Sequence, residues 1–157
     1  MSTLKVGTIQ DHANSNTAMS IDSSGRVTTP ARPMFRAFKS GTGWVDIVHG
    51  ANRKIPFDTE KYDVGGCFNT STSIFTAPVT GKYLLSASVQ ISNTQSDATY
   101  YIASIVTSNR TLRLAIEDPT ILSAPDDVAF WTFSAAHLMD MDASDTATIT
   151  YRQEGGT

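Results

Sequence analysis

The sequence predicts an all-β sandwich carried on a short β-rich stem, and three observations predict it. Apolar and polar residues alternate with a period of two in several segments of strand length. Turn-forming residues recur between those segments, and no window keeps a 3.6-residue apolar period over a helical length. The composition is that of a globular protein, with 40% hydrophobic and 17% charged residues.

At 157 residues the chain holds one full domain plus an appendage. Residues 1–33 are the appendage. Short apolar pairs, Leu4 with Val6 and Met19 with Ile21, sit among Asn, Ser, Thr and Gly, and the stretch ends at Pro30-Ala31-Arg32-Pro33. Asp22-Ser23-Ser24-Gly25 is a turn signature between Met19-Ser20-Ile21 and Arg26-Val27. Strands this short cannot bury a core alone. They gain order by winding around copies of themselves, as in a fibre stem, or they serve as a flexible linker.

Residues 34–157 are the predicted head. Tyr83, Leu85, Ala87, Val89 and Ile91 alternate with small polar residues, Leu84 being the exception. Leu112, Leu114 and Ile116 alternate with Thr111, Arg113 and Ala115, and Ala147, Ile149 and Tyr151 alternate with threonines. Gly41-Thr42-Gly43, Gly65-Gly66, Asn93, Asn109, Asp118-Pro119 and Pro125-Asp126-Asp127 punctuate the strands. Such spacing reads as a β-sandwich. The run Ala129-Phe130-Trp131-Thr132-Phe133 is apolar at both parities, which marks a strand covered on both faces.

Residues 57–87 carry a spaced set of anchors: Phe57, Asp63, Phe68, Phe75, Gly81 and Tyr83. In these intervals the chain resembles the globular head of the complement first component's q subunit, a relative of the tumour-necrosis-factor jelly roll. Two further aromatics of that pattern are replaced by Leu85 and Ala87. Phe35-Arg36-Ala37-Phe38 is similar to the family's opening strand, and Met139 to Asp145 to its Leu-x-Leu-x-x-Gly-Asp turn, with Ser144 in the glycine position. The resemblance covers residues ~32–151 and implies a ten-strand-type jelly-roll sandwich that assembles as a homotrimer. Phe130, Phe133, His137, Met139 and Met141 are the candidate trimer-interface residues. The family closes its sandwich with a last strand inside the inner sheet, whereas here Arg152-Gln153-Glu154-Gly155-Gly156-Thr157 stand where the preceding turn would begin. The expectation is that residues 1–33 of the same or a neighbouring subunit fill that slot, or that the chain belongs to a longer one.

The stem is similar to stems that precede such heads in bacteriophage fibre proteins, in Thr3-Leu4-Lys5-Val6-Gly7-Thr8-Ile9-Gln10 and Met19 to Val27. The resemblance implies a virion fibre or spike tip, made in the host cytoplasm. Its stem would hold other virion proteins, and its trimeric loops would meet a host-surface glycan or protein. A capsid-decorating or cement trimer is the alternative. A secreted signalling ligand fits less well, since Met1 to Gly7 form no apolar leader-like run. A polysaccharide hydrolase would need paired carboxylates ~5–9.5 Å apart across a groove, and no pair stands out.

The remaining residues point to binding or structure rather than catalysis. The net charge of −3 gives no footprint for nucleic acid, and no stretch reaches the ~18 apolar residues of a membrane span. His12, His49 and His137 sit in stem, loop and strand, with no nucleophile–base motif around them and no motif for a cofactor. His137 shares the parity of Ala135 and Met139 and reads as an interior histidine or a switch on the threefold axis. Cys67, the single cysteine, excludes an internal disulfide and reads as a buried thiol in a protein made under reducing conditions. Asp140, Asp142 and Asp145 form a solvated turn or offer oxygen to calcium, and Asp126-Asp127 reads the same way. Trp44, in a glycine-rich loop, is the candidate ligand-binding residue, either stacking on a sugar face or folding back on the rim. Asn69 and Asn109 begin glycosylation sequons, which matter only in a secretory pathway.

Overall fold

The computed structural model describes residues 3–47, 49–122 and 128–156, so the turn read at Pro125-Asp126-Asp127 lies outside the described residues. The stem forms β1 (Thr8–Gln10), β2 (Thr17–Ile21) and β3 (Val27–Thr28), an antiparallel sheet in that order. Asp22 shapes the β2–β3 turn: its carboxylate accepts from the Ser24 and Arg26 amides at 2.9 and 3.0 Å, and Gly25 takes φ +77°. Leu4, Val6, Ile9, Ile21 and Val27 remain exposed, because three short strands without a second layer have nothing to bury them.

The head contains β4 (Met34–Phe38), β5 (Arg53–Lys54), β6 (Thr59–Val64), β7 (Phe68–Asn69), β8 (Ile74–Thr76), β9 (Gly81–Thr94), β10 (Ala98–Thr107) and β11 (Thr111–Glu117). A short 3-10 turn (Pro119–Leu122), β12 (Val128–Met141) and β13 (Thr146–Gly155) complete it. One layer is a six-stranded sheet ordered β11-β10-β13-β8-β7, with β5 also paired to β13. The other is made of two separate antiparallel ribbons, β4 with β6 and β9 with β12. Alternate residues of both layers meet in the core, where Tyr101, Ile105, Phe133, Met139 and Tyr151 are the largest fully buried side chains. The predicted inward set of β9 holds from Tyr83 to Ile91, and Ala147, Ile149 and Tyr151 of β13 face inward as expected.

β11 departs from its predicted parity. Ala103 pairs with Ala115 while the next residue, Ser104, pairs with Arg113, so Leu114 is the extra residue of a bulge. Beyond a bulge the faces exchange. Leu112 and Leu114 therefore pack inward, Ala115 follows them, and Ile116 is left in solvent.

The stem of the same chain adds no strand to the described part of the head. The β4/β6 and β9/β12 ribbons share no hydrogen-bonded ladder, and among the described residues no stem strand pairs with a head strand. The terminal residues also differ from the expected turn, because Arg152 to Gly155 continue β13 and pair with β10 as far as Ala98.

The turn between β12 and β13 stores local strain. Ser144 has φ +74°, a left-handed conformation that costs a non-glycine residue roughly 1–2 kcal/mol. Ser144→Gly is expected to stabilise the head by about 1 kcal/mol, read as a higher melting temperature with an unchanged circular-dichroism spectrum.

Candidate functional site

The six spaced anchors are structural. Phe68, Phe35 and Phe75 form a column of stacked rings, with centroids at 4.8 and 5.1 Å, and Tyr83 meets Phe75 edge-on at 5.4 Å. Tyr83 then donates its hydroxyl to the Val79 carbonyl at 2.6 Å, fixing the loop that enters β9 at Gly81. Phe57 is half-buried, and its amide donates to the Ser73 hydroxyl at 2.8 Å.

Asp63 organises the β6–β7 turn, where Gly65 and Gly66 take φ of +96° and +63°. Its carboxylate accepts from the Cys67 amide at 3.0 Å, the Phe68 amide at 2.9 Å and the Cys67 thiol at 3.1 Å. Burial alone would raise its pKa, but the Phe68 amide, the Cys67 thiol and the Cys67 amide outweigh it and hold the carboxyl below its ordinary value. Burial first, then the neighbouring Asp63 carboxylate, pushes the Cys67 thiol up to about 12. The thiol is thus buried and protonated at neutral pH, and unsuited to nucleophilic work.

The three aspartates near Ser144 are engaged separately. Asp140 pairs across the ladder with Lys82. Asp145 accepts from the Ser108 hydroxyl at 2.7 Å, the Asn109 amide at 2.6 Å and the Asp142 backbone at 2.8 Å, tying this turn to the β10–β11 hairpin. Asp142 accepts a long bond from the Thr80 hydroxyl at 3.4 Å. They do not converge, and among the described residues no three His, Cys, Asp or Glu side chains gather as metal ligands.

The interface candidates on β12 divide by parity. Phe133, Met139 and Met141 are each 2% exposed, packed in the chain's own core, and so offer no surface to another copy. His137 is turned the same way. Its Nε2 lies 3.0 Å from the Arg113 carbonyl, an acceptor, so that nitrogen carries the proton and links β12 to the bulged edge strand. Phe130 alone of the five faces outward. The residues that do form the outer face of the β9/β12 ribbon are set by register: Leu84 opposite Leu138, Ser86 opposite Ala136, Ser88 opposite Ser134, Gln90 opposite Thr132, and Ser92 opposite Phe130. Leu84 and Leu138 are 71% and 67% exposed. Sequence reasoning missed both leucines, although each breaks its strand's alternation.

Trp44 stands beside this face, 58% exposed, with its ring 6.2 Å from that of Phe130. Below it runs a groove of about 1090 Å³ along β9, lined by Trp44, Ile47, Ile55 and Val89 and floored by Tyr101 and Tyr151. The predicted ligand residue and one predicted interface residue are therefore a single aromatic pair at the rim of a groove.

With this geometry in place, the likeness to known structures is specific to the fold. The globular domain of zebrafish complement 1qA protein superposes with a TM-score of 0.55 at 14% identity, over 77% of this chain and 85% of that one. The head is thus a jelly-roll sandwich of the complement globular-head and tumour-necrosis-factor type. No protein-family model and no curated protein matches the sequence.

Asp63 supplies a test of the turn. Its folded pKa lies below the ~3.9 of an unfolded aspartate, so its contribution to stability is present above that value and is lost as pH falls through the folded one. Asp63→Asn is expected to cost about 1–3 kcal/mol at pH 7 and to flatten the loss of stability below pH ~4, measured by urea unfolding at a series of pH values.

Proposed function

We propose that the chain is a non-enzymatic fibre or spike tip of a bacteriophage particle, working as a homotrimer whose stem attaches the head to other virion proteins. The observation that carries this reading is the outer face of the β9/β12 ribbon. It is smooth, its central pairs are serine, alanine, threonine and glutamine, and its charges are confined to the mutually neutralised Lys82–Asp140 pair at one end. A lone sandwich gains nothing by exposing Leu84 against Leu138, whereas burying a leucine at a subunit contact stabilises by about 1.5–3 kcal/mol. The complement-like fold and the trimer implied by the family resemblance support the same contact. The separate stem sheet, with its unburied apolar residues, supports a segment that is completed by assembly.

In this reading Trp44 and Phe130 present the host-binding surface. Flat aromatic faces suit a sugar ring, which stacks through its C–H face, and Thr42 and Asn93 line the same groove to meet its edge.

Light scattering is expected to give three times the 16.9 kDa chain mass. Leu138→Asp is expected to give a folded monomer at micromolar concentration, while Phe133→Asp unfolds the head by burying an unpaired charge. A native monomer of the unaltered chain, or a trimer that survives Leu138→Asp, overturns the assignment of the face. Antibodies raised against the head are expected to label fibre or spike tips on particles in electron micrographs, and labelling spread over the capsid overturns the tip assignment. On a panel of host-surface glycans the protein is expected to bind without releasing reducing ends, and Trp44→Ala to weaken binding about tenfold; release of reducing ends excludes a purely binding role.

A further inference from the structure

The groove beneath Trp44 is bounded by a backbone edge, which gives it a chemistry that its side chains alone do not. Among the described residues β9 pairs only with β12. In an antiparallel ladder every second residue turns its N–H and C=O away from the partner. Between Lys82 and Ser92 those groups point to the gap separating the ribbons, where among the described residues no backbone group answers them. The floor holds a second unmet demand, since the Tyr151 hydroxyl is buried without a hydrogen-bond partner among the described residues. At about 1090 Å³ the groove exceeds the ~300–1,000 Å³ of small-ligand sites, and it borders β9 from Val89 to Thr94. An open edge beside an elongated apolar trough is the geometry for adding a strand.

The same molecule carries a segment of matching chemistry. Thr3 to Val6 belong to no strand, and Leu4 is 85% exposed. As a strand this segment would set Leu4 and Val6 on one face and Thr3 and Lys5 on the other, an alternation suited to an apolar floor and a wet exterior. Lys5 is the only charge from Thr3 to Gln10, and Asp46 lines the groove. Gly7 and Thr8 are held by β2, but Thr3 to Val6 join no ladder, and the groove of the same chain stays open, so the two demands are met between copies.

We propose that Thr3–Val6 of a second copy enters the groove as an added strand along the free edge of β9, with Leu4 and Val6 over Tyr101 and Tyr151. The exchange concerns the strand's edge and not the Leu84–Leu138 face, so it stands or falls separately from the contact proposed above.

Deuterium exchange on the full chain tests it. Edge amides of β9 between Lys82 and Ser92 are expected to exchange at least about tenfold more slowly at high than at low protein concentration. Leu4→Asp with Val6→Asp, both at exposed positions, is expected to abolish that protection, and a synthetic peptide of residues 3–10 added to the double variant to restore it. Equal exchange in the unaltered and doubly substituted chains overturns the proposal, as does a peptide that leaves the edge amides unprotected. Leu138→Asp separates the two contacts: if that variant is monomeric yet the peptide still protects its β9 edge, the strand addition stands without the face.

Discussion

Two ribbons that share no hydrogen-bonded ladder among the described residues lie on one side of the head, and aromatic packing seats them there. Phe35 of the β4/β6 ribbon and Tyr83 of the β9/β12 ribbon both rest on the Phe75 ring of the opposite sheet, with Phe68 closing the column. Ring contacts of this kind add roughly 0.5–1.5 kcal/mol each beyond the area they bury. They are less directional than a ladder, so they hold the ribbons at the right depth while leaving the space between them unspecified. The Asp63 turn serves the same column, because its carboxylate fixes the backbone of Phe68. The groove, the open edge of β9 and the position of Trp44 above them all follow from a layer held by side chains where a continuous sheet would be held by backbone.

Much of this was legible in the sequence for a simple reason: a period of two reports which face of a strand is buried. The inward residues of β9 and β13, the turn at Asp22 and the buried character of Cys67 follow from alternation, turn chemistry or composition, and the opening strand at Phe35 from the family resemblance. Ile116 was misplaced because a bulge leaves no mark in composition; Leu114 looks like any other inward leucine, and only the shift from Ala103–Ala115 to Ser104–Arg113 shows the exchange of faces. The burial of β12 was misread for a different reason. The run Ala129–Phe133 is apolar at both parities, and Phe133, Met139 and Met141 were taken as interface candidates although they pack in the chain's own core. The informative signal was the interruption of pattern. Leu84 and Leu138 each break an alternation, and the register sets them opposite one another.

The candidate site was legible only in pieces. Trp44 and Phe130 are 86 positions apart in the chain, and nothing local to either indicates that their rings meet. The groove beneath them is a product of tertiary arrangement, since its floor comes from β10 and β13 and its rim from the loop after β4. Sequence patterning reports which face of each strand is buried, but not where two ribbons part or which side chains line the space between them.

The sandwich treats its edges unequally. β7, at one end of the six-stranded sheet, is two residues long, and β11, at the other, is bulged and carries the charged Arg113 and Glu117. Both are poor templates for an incoming chain. β9 has neither protection over the fourteen residues from Gly81 to Thr94. Its tilt toward self-association is therefore built into the native state and does not wait for unfolding. At high head concentration the edge expected to pair first is β9 with β9, and the gatekeeping charge best placed to resist this, Lys82, lies at one extreme end where it protects least.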